Sequence, residues 1–96
     1  MADTIRAHIL VAGRVQGVFY RKGAQKKAQE LGLTGWAHNT VDGNVEIVCE
    51  GEKDIVEEFV AWCKQGTSFA KVKDCTVEFQ KHTGEFDDFF IREFGF

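Results

Sequence analysis

The pattern of hydrophobic and polar residues in the first third of the chain predicts a strand followed by a helix. Residues 5–11 form an apolar, β-branched run that is typical of a strand, and Gly13 marks its end. In residues 21–31 small apolar side chains recur at helical spacing, which predicts a helix with a narrow apolar face that ends at Gly32. Gly23, near the start of this helix, costs about 1 kcal/mol relative to alanine. We therefore expect another part of the chain to pack closely against Gly23.

A hairpin and a second helix are predicted next. Two strands, 34–40 and 44–50, flank Asp42-Gly43, a dipeptide that strongly favours a tight hairpin turn. In the second of these strands the residues alternate, which predicts one buried face and one mostly solvated face. A helix with a broad apolar face should follow and end at Gly66. Its apolar face consists of Ile55, Val56, Phe59, Val60, Trp62 and Cys63.

Two further strands complete the predicted elements. Alternation around residues 75–79 predicts a fourth strand, and residues 89–92 predict a fifth after a turn near Thr83-Gly84. The order βαββαβ with an extra C-terminal strand predicts an α+β fold of the ferredoxin-like, split βαβ type. Such a fold is an antiparallel sheet with two helices on one face. We expect residues 1–96 to form a single domain.

Composition and charge narrow the possible functions. The chain has 96 residues, 44% of them hydrophobic, which excludes disorder, and its net charge of -3 argues against binding nucleic acid by bulk attraction. No apolar run is long enough to span a membrane and the start lacks a signal-peptide pattern, so a cytoplasmic location is expected. Residues 4–29 hold 6 of the 12 Lys and Arg residues and no acid. This segment is therefore predicted to meet an anion, with a solvated basic helix face as the alternative.

The cysteines and histidines do not predict a metal site. The 3 cysteines are an odd number and lack a Cys-x-x-Cys pair, so they are predicted to be buried free thiols. The 3 histidines are not at the spacing of metal ligands. We expect no metal.

The connection between the first strand and the first helix, residues 13–21, carries the candidate chemistry. A chain that turns on glycines and enters a helix presents backbone N–H groups and the positive end of the helix dipole to a tetrahedral anion. Arg21 can add a bidentate contact to phosphate oxygens. The segment lacks the Lys-Ser/Thr of a P-loop, and Val15 stands where thiol phosphatases have their cysteine, which excludes a phosphocysteine. The glycines alone would also fit a tight structural turn.

Two segments together resemble the acylphosphatase family. Residues 13–21 are Gly-Arg-Val-Gln-Gly-Val-Phe-Tyr-Arg, and residues 31–40 are Leu-Gly-Leu-Thr-Gly-Trp-Ala-His-Asn-Thr, followed by Asp42-Gly43. The resemblance covers essentially the whole chain in length and element order. It departs at Tyr20, where the family often has a second phenylalanine, and at residues 66–68, where the family commonly has Gly-Pro and this chain has Gly-Thr-Ser.

The resemblance implies hydrolysis of the carboxyl-phosphate bond of a small acyl phosphate, giving carboxylate and inorganic phosphate. It implies that Arg21 binds phosphate and that Asn39 orients the attacking water, with no cofactor, metal or covalent intermediate. We further expect a monomer that phosphate inhibits and that, given its charge and hydropathy, binds neither nucleic acid nor membrane. The implied phosphate-binding loop consists of Gln16, Gly17, Val18, Phe19 and Tyr20.

Two alternatives from other functional classes remain at this point. One is a non-catalytic phosphate-binding regulatory module on the same fold, because a fold does not determine a function. The other is an RNA-recognition domain, which shares the βαββαβ order but needs stacking aromatic residues on its third strand. Residues 45–50 contain no aromatic residue and two acids, which disfavours RNA recognition. Asn39 alone would be interpreted as a hairpin residue.

Overall fold

The computed structural model of the protein describes residues 3–93, and its elements follow the predicted order. The boundaries predicted at residues 1 and 96 lie outside the described residues. The helices and strands are β1 (Thr4–Arg14), α1 (Tyr20–Glu30), β2 (Thr34–Asn39), β3 (Val45–Glu52), α2 (Lys53–Gln65), β4 (Lys71–Lys81) and β5 (Phe89–Arg92).

The five strands form one sheet in the order β4-β1-β3-β2-β5. The β1–β3, β1–β4 and β2–β3 pairs are antiparallel, whereas β5 lies parallel to β2. The α+β, ferredoxin-like prediction is confirmed, and the extra C-terminal strand extends the sheet at its β2 edge. Both helices pack against one face of the sheet, where the core consists of alternate residues of β1 and β3 together with Ala24, Ala28, Val56, Phe59 and Cys63.

The connection from β4 to β5 crosses the sheet instead of forming the predicted turn. Its two ends lie on opposite edge strands, four strand spacings or about 19 Å apart. The seven connecting residues, 82–88, span about 23–25 Å when extended, so they cross almost directly. Gly84 has a φ of 74°, in the left-handed region, but it lies within the crossing segment and not in a tight turn.

The predicted solvated face of β3 is wrong at two residues. Val48 and Glu50 are each only 2% exposed. Residues of the crossing segment bind the Glu50 carboxylate, and Val48 lies between Trp36 of β2 and His8 of β1. Alternation along a strand indicates which residues share a face, but it does not indicate what covers that face.

The thiol prediction is confirmed for two cysteines and is wrong for the third. Cys49 and Cys63 are free and buried, whereas Cys75 is free but only half-buried. Cys75 lies on β4, an edge strand that has a neighbour on one side only. Phe79 on the same strand is 52% exposed for the same reason.

The two helices approach each other closely at Gly23. A Cβ atom there would lie 2.9 Å from Cζ2 of Trp62 and 3.0 Å from Cγ2 of Thr67. The predicted close packing is therefore confirmed, and it holds the start of α1 against the end of α2. Neither helix in residues 3–93 has the length and apolar character needed to cross a bilayer.

Candidate active site

The loop between β1 and α1 is bent at two positions and anchored at three. Gly17 and Phe19 have φ values of 72° and 63°, in the left-handed region. The side chains of Val15, Val18 and Tyr20 are buried in the core. α1 begins at Tyr20, one residue before the predicted start, and Phe19 is its N-cap residue without a capping side chain. These three buried side chains therefore anchor the loop to the core.

The backbone N–H groups of this loop are available to a ligand. Within residues 3–93, the N–H groups of residues 16–19 donate to no backbone carbonyl, and the first hydrogen bond of α1 runs from Gly23 N to Phe19 O. The Val18 carbonyl accepts a hydrogen bond from Oγ1 of Thr67 at 2.8 Å, which fixes the orientation of the adjacent peptide unit. Consecutive free donors at the positive end of a helix form an anion-binding site.

A cleft of about 220 Å³ opens beside the loop and brings Arg21 and Asn39 together. Arg21 comes from the first turn of α1, and Asn39 comes from the end of β2. Five of the seven site residues predicted from the sequence line this cleft. The lining consists of Val15, Gly17, Phe19, Tyr20, Arg21, Lys22 and Asn39.

Two of the predicted loop residues direct their side chains elsewhere. The Gln16 amide binds carbonyl oxygens in the β2–β3 hairpin, and the Val18 side chain is buried in the core. Two further residues, Val15 and Lys22, line the cleft although the sequence did not predict them as site residues. The position of Lys22 beside Arg21 in the acid-free segment was the signal that could have identified it.

Arg21 has an exchangeable partner. Its Nη1 atom lies 3.6 Å from Oε2 of Glu93, whose side chain is 74% exposed. A cation in the first turn of a helix opposes the helix dipole, so a nearby anion stabilises it. An ion pair with such an exposed carboxylate contributes little. The guanidinium can therefore exchange this partner for an anion in the cleft.

Asn39 and Tyr20 differ in whether their polar atoms are satisfied. Oδ1 of Asn39 is buried, and no atom of residues 3–93 donates a hydrogen bond to it. The Tyr20 hydroxyl donates to the carbonyl oxygen of Cys63 at 2.6 Å, and burial raises the pKa of Tyr20 far above its ordinary value. Tyr20 therefore remains a neutral phenol that anchors the loop, whereas the Oδ1 acceptor of Asn39, a cleft-lining residue, has no partner in residues 3–93.

Comparisons with known proteins identify the family and the fold of this chain. The acylphosphatase family model matches residues 7–91. An acylphosphatase of Methylococcus capsulatus is 51% identical over 86 residues, which cover 90% of this chain and 94% of that protein. Among solved structures, an acylphosphatase from Bacillus subtilis has a TM-score of 0.88 at 38% identity and covers 92% of this chain and 98% of its own.

A second solved structure gives the same result. The acylphosphatase from Coxiella burnetii has a TM-score of 0.87 at 38% identity, and the match covers 94% of each chain. The resemblance found in residues 13–21 and 31–40 is confirmed, and the interpretation as an enzyme is favoured over the non-catalytic and RNA-binding alternatives. The chain belongs to the acylphosphatase family and is a hydrolase of acyl phosphates.

Proposed function

We propose that the β1–α1 loop and Arg21 together bind the phosphoryl group of the acyl phosphate. The free N–H groups of residues 16–19 and the positive end of α1 suit the equatorial oxygens of this group. The Arg21 guanidinium adds a planar pair of donors and a permanent charge. Inorganic phosphate presents the same oxygens and therefore competes with the substrate.

Asn39 orients the attacking water in this mechanism. Asn39 lines the cleft, and its Oδ1 accepts no hydrogen bond from the described part of the chain, so we assign its carboxamide to hold a water molecule there. A water held in line with the bond that breaks avoids much of the entropic cost of the reaction. Asn39 then contributes mainly to the chemical step and little to phosphate affinity.

The chemistry of the leaving group explains why so few residues suffice. The water oxygen forms a bond to phosphorus, and the bond between phosphorus and the carboxylate oxygen breaks with its electron pair on that oxygen. A carboxylate with a pKa of about 4 departs without a general acid. In a loose transition state the water keeps its protons until the leaving group has largely departed, so no strong base is required.

The proposed reaction forms no covalent intermediate. Tyr20 carries the one hydroxyl among the cleft-lining side chains of residues 3–93, and that hydroxyl is bound to the Cys63 carbonyl. The same lining has no carboxylate, imidazole or thiol side chain. The mechanism therefore assigns charge stabilisation to Arg21 and the N–H groups, without a metal ion.

The convergence of Arg21 and Asn39 on one cleft carries this proposal. We would measure phosphate release from benzoyl phosphate with EDTA present, and phosphate binding by calorimetry, for Arg21→Ala, Asn39→Ala and the control Arg14→Ala. Arg14 is an exposed base of the same segment and lies outside the cleft lining.

We expect Arg21→Ala to lose both phosphate binding and turnover. Asn39→Ala should bind phosphate normally and lose about 10²–10³ in kcat, the usual effect of removing one well-placed polar group. Arg14→Ala should match the wild type. Wild-type turnover in Asn39→Ala, or loss of wild-type turnover in EDTA, would contradict the mechanism.

A further inference from the structure

Two exposed phenyl rings stand together beside the cleft. Phe19 and Phe69 are 69% and 65% exposed, and their ring centroids lie 6.2 Å apart at an interplanar angle of 60°. Phe19 also lines the cleft. Large apolar side chains that are clustered and exposed next to a binding site are typical of a surface that contacts a ligand.

A purely structural role does not explain why a phenylalanine stands at position 19. Its φ of 63° and ψ of 20° lie in the left-handed region, which is unfavourable for a bulky residue. At residue 17, the other left-handed position in the loop, the chain has a glycine, which adopts this conformation without steric cost. Phe19 therefore combines backbone strain with an exposed apolar ring, and neither stabilises the fold. Such strain is concentrated at functional sites.

The position of Phe69 is fixed by the segment that carries it. Residues 66–70 connect α2 to β4, and Oγ1 of Thr67 binds the Val18 carbonyl at 2.8 Å. At the start of the segment Gly66 packs on Tyr20 so closely that a Cβ there would lie 2.9 Å from Cε2 of the ring. This segment is therefore attached to the phosphate loop at two points, which holds the Phe69 ring next to Phe19.

The acyl group of the substrate must lie next to the position proposed for the phosphoryl group. In an acyl phosphate the carbonyl carbon is one oxygen atom away from phosphorus, so an acyl group extends from the cleft as soon as the phosphoryl group is bound. In-line attack requires it to leave on the side away from the water that Asn39 holds. Phe19 directly precedes α1 and Phe69 lies in the α2–β4 connection, whereas Asn39 is the last residue of β2, so different segments carry the rings and the proposed water-orienting residue.

We propose that Phe19 and Phe69 form a subsite for the acyl group and favour substrates whose acyl group is aromatic. This proposal rests on the phosphoryl position proposed above. Two rings tilted against each other offer a face and an edge to a third ring, an arrangement that aromatic groups favour beyond simple area burial. A methyl group gains little from the same surface.

The test compares benzoyl phosphate with acetyl phosphate in Phe69 variants. Because Phe69 is exposed, Phe69→Ala should fold. The readout is the ratio of kcat/KM for the two substrates, which cancels their intrinsic reactivities when variants are compared. We expect Phe69→Ala to lower the ratio about three- to tenfold and Phe69→Tyr, which keeps the ring, to preserve it. The matched control Phe79→Ala removes an exposed phenylalanine that is outside the cleft and should keep the wild-type ratio.

Inhibition by inorganic phosphate separates this proposal from the phosphoryl site. Phosphate has no acyl group, so its inhibition constant should stay within about twofold in Phe69→Ala if the rings contact only the acyl group. An unchanged substrate ratio with normal phosphate inhibition would overturn the subsite and leave the phosphoryl site intact. A lowered ratio accompanied by lost phosphate inhibition would also overturn it, since Phe69 would then act on the phosphoryl site. Sedimentation of a dimer that Phe69→Ala dissociates would assign the rings to a second copy of the chain instead.

Discussion

Gln16 donates a hydrogen bond from its side-chain Nε2 to the backbone carbonyl oxygen of Thr40, at 2.9 Å. The same Nε2 donates to the carbonyl oxygen of Asn44 at 2.7 Å. Thr40 directly follows Asn39, so this amide joins the phosphate loop to the hairpin that carries the proposed water-orienting residue. We therefore expect the Gln16 side chain, which does not line the cleft, to act by positioning Asn39.

We predict that Gln16→Met lowers kcat about 10- to 100-fold, because a small misplacement of Asn39 misaligns the water. The inhibition constant of phosphate should change by less than about threefold, since the backbone N–H groups stay in the anchored loop. Steady-state kinetics with phosphate as inhibitor measures both. In an Asn39→Ala background the same substitution should add little further loss. Full additivity in this double variant would show that Gln16 does not act through Asn39.

Arg21→Lys tests whether the guanidinium fork is needed. A lysine keeps the positive charge but cannot donate two parallel hydrogen bonds to one phosphoryl group. We expect weakened phosphate binding and a loss in kcat/KM of about 10²-fold or more. Calorimetry and kinetics on the purified variant measure the two effects. Near-normal activity would mean that Arg21 acts only as a point charge.

Asn39→Asp separates the shape of this side chain from its charge. Aspartate keeps the size and the acceptor oxygen but places a negative charge beside a phosphate dianion. We expect phosphate affinity to fall together with kcat, whereas Asn39→Ala should lower kcat alone. Phosphate titrations of both variants at pH 7 make the comparison. Equal phosphate affinities in the two variants would place Asn39 too far from the phosphoryl group for the proposed role.

The buried carboxylate of Glu50 should make stability depend on pH. Burial alone raises the pKa of Glu50, but hydrogen bonds from the backbone N–H and hydroxyl of Thr83 and from Gly84 N, with nearby His82, outweigh it and hold this pKa below the ordinary 4.5. The unfolded chain therefore binds the proton more readily, and the stabilisation present above pH 4.5 is lost as pH falls through the lower native pKa.

Urea unfolding of the wild type and Glu50→Gln between pH 7 and pH 3 checks this. Glutamine places an amide group against N–H donors, so we expect a loss of about 1–3 kcal/mol in unfolding free energy at pH 7. The difference should shrink as the pH falls. A constant difference across this range would show that the Glu50 carboxylate does not titrate with folding.

The three cysteines should react with thiol reagents at different rates. Burial raises the pKa of Cys49 to about 12 and that of Cys63 well above its usual range. Cys75 is half-buried, so Ellman's reagent should modify one thiol in the native protein and all three only after unfolding. Cys75→Ala should remove the reactive thiol and keep turnover. A native protein of this variant that still reacts at one thiol would contradict the assignment.

The element order and the fold class could be predicted from the sequence because the signals behind them are local. Strand alternation, helical spacing and the turn at Asp42-Gly43 each act within a few residues. The phosphate site proposed at segment 13–21 likewise rests on nine consecutive residues. Gly23 is a partial exception. Its position in a helix predicted close packing, but the sequence did not identify Trp62 as the residue that packs against it.

Contacts between distant segments could not be predicted in this way. The burial of Glu50 depends on a connection that crosses from one edge strand to the other, and the half-exposure of Cys75 depends on which strand lies at an edge. Phe69 meets Phe19 across fifty residues of sequence, and Gln16 meets Thr40 only when β1 and β2 both flank β3. Periodicity assigns a residue to a face of its own element. The neighbours on that face come from strand order and helix packing, which depend on the free energy of the whole chain.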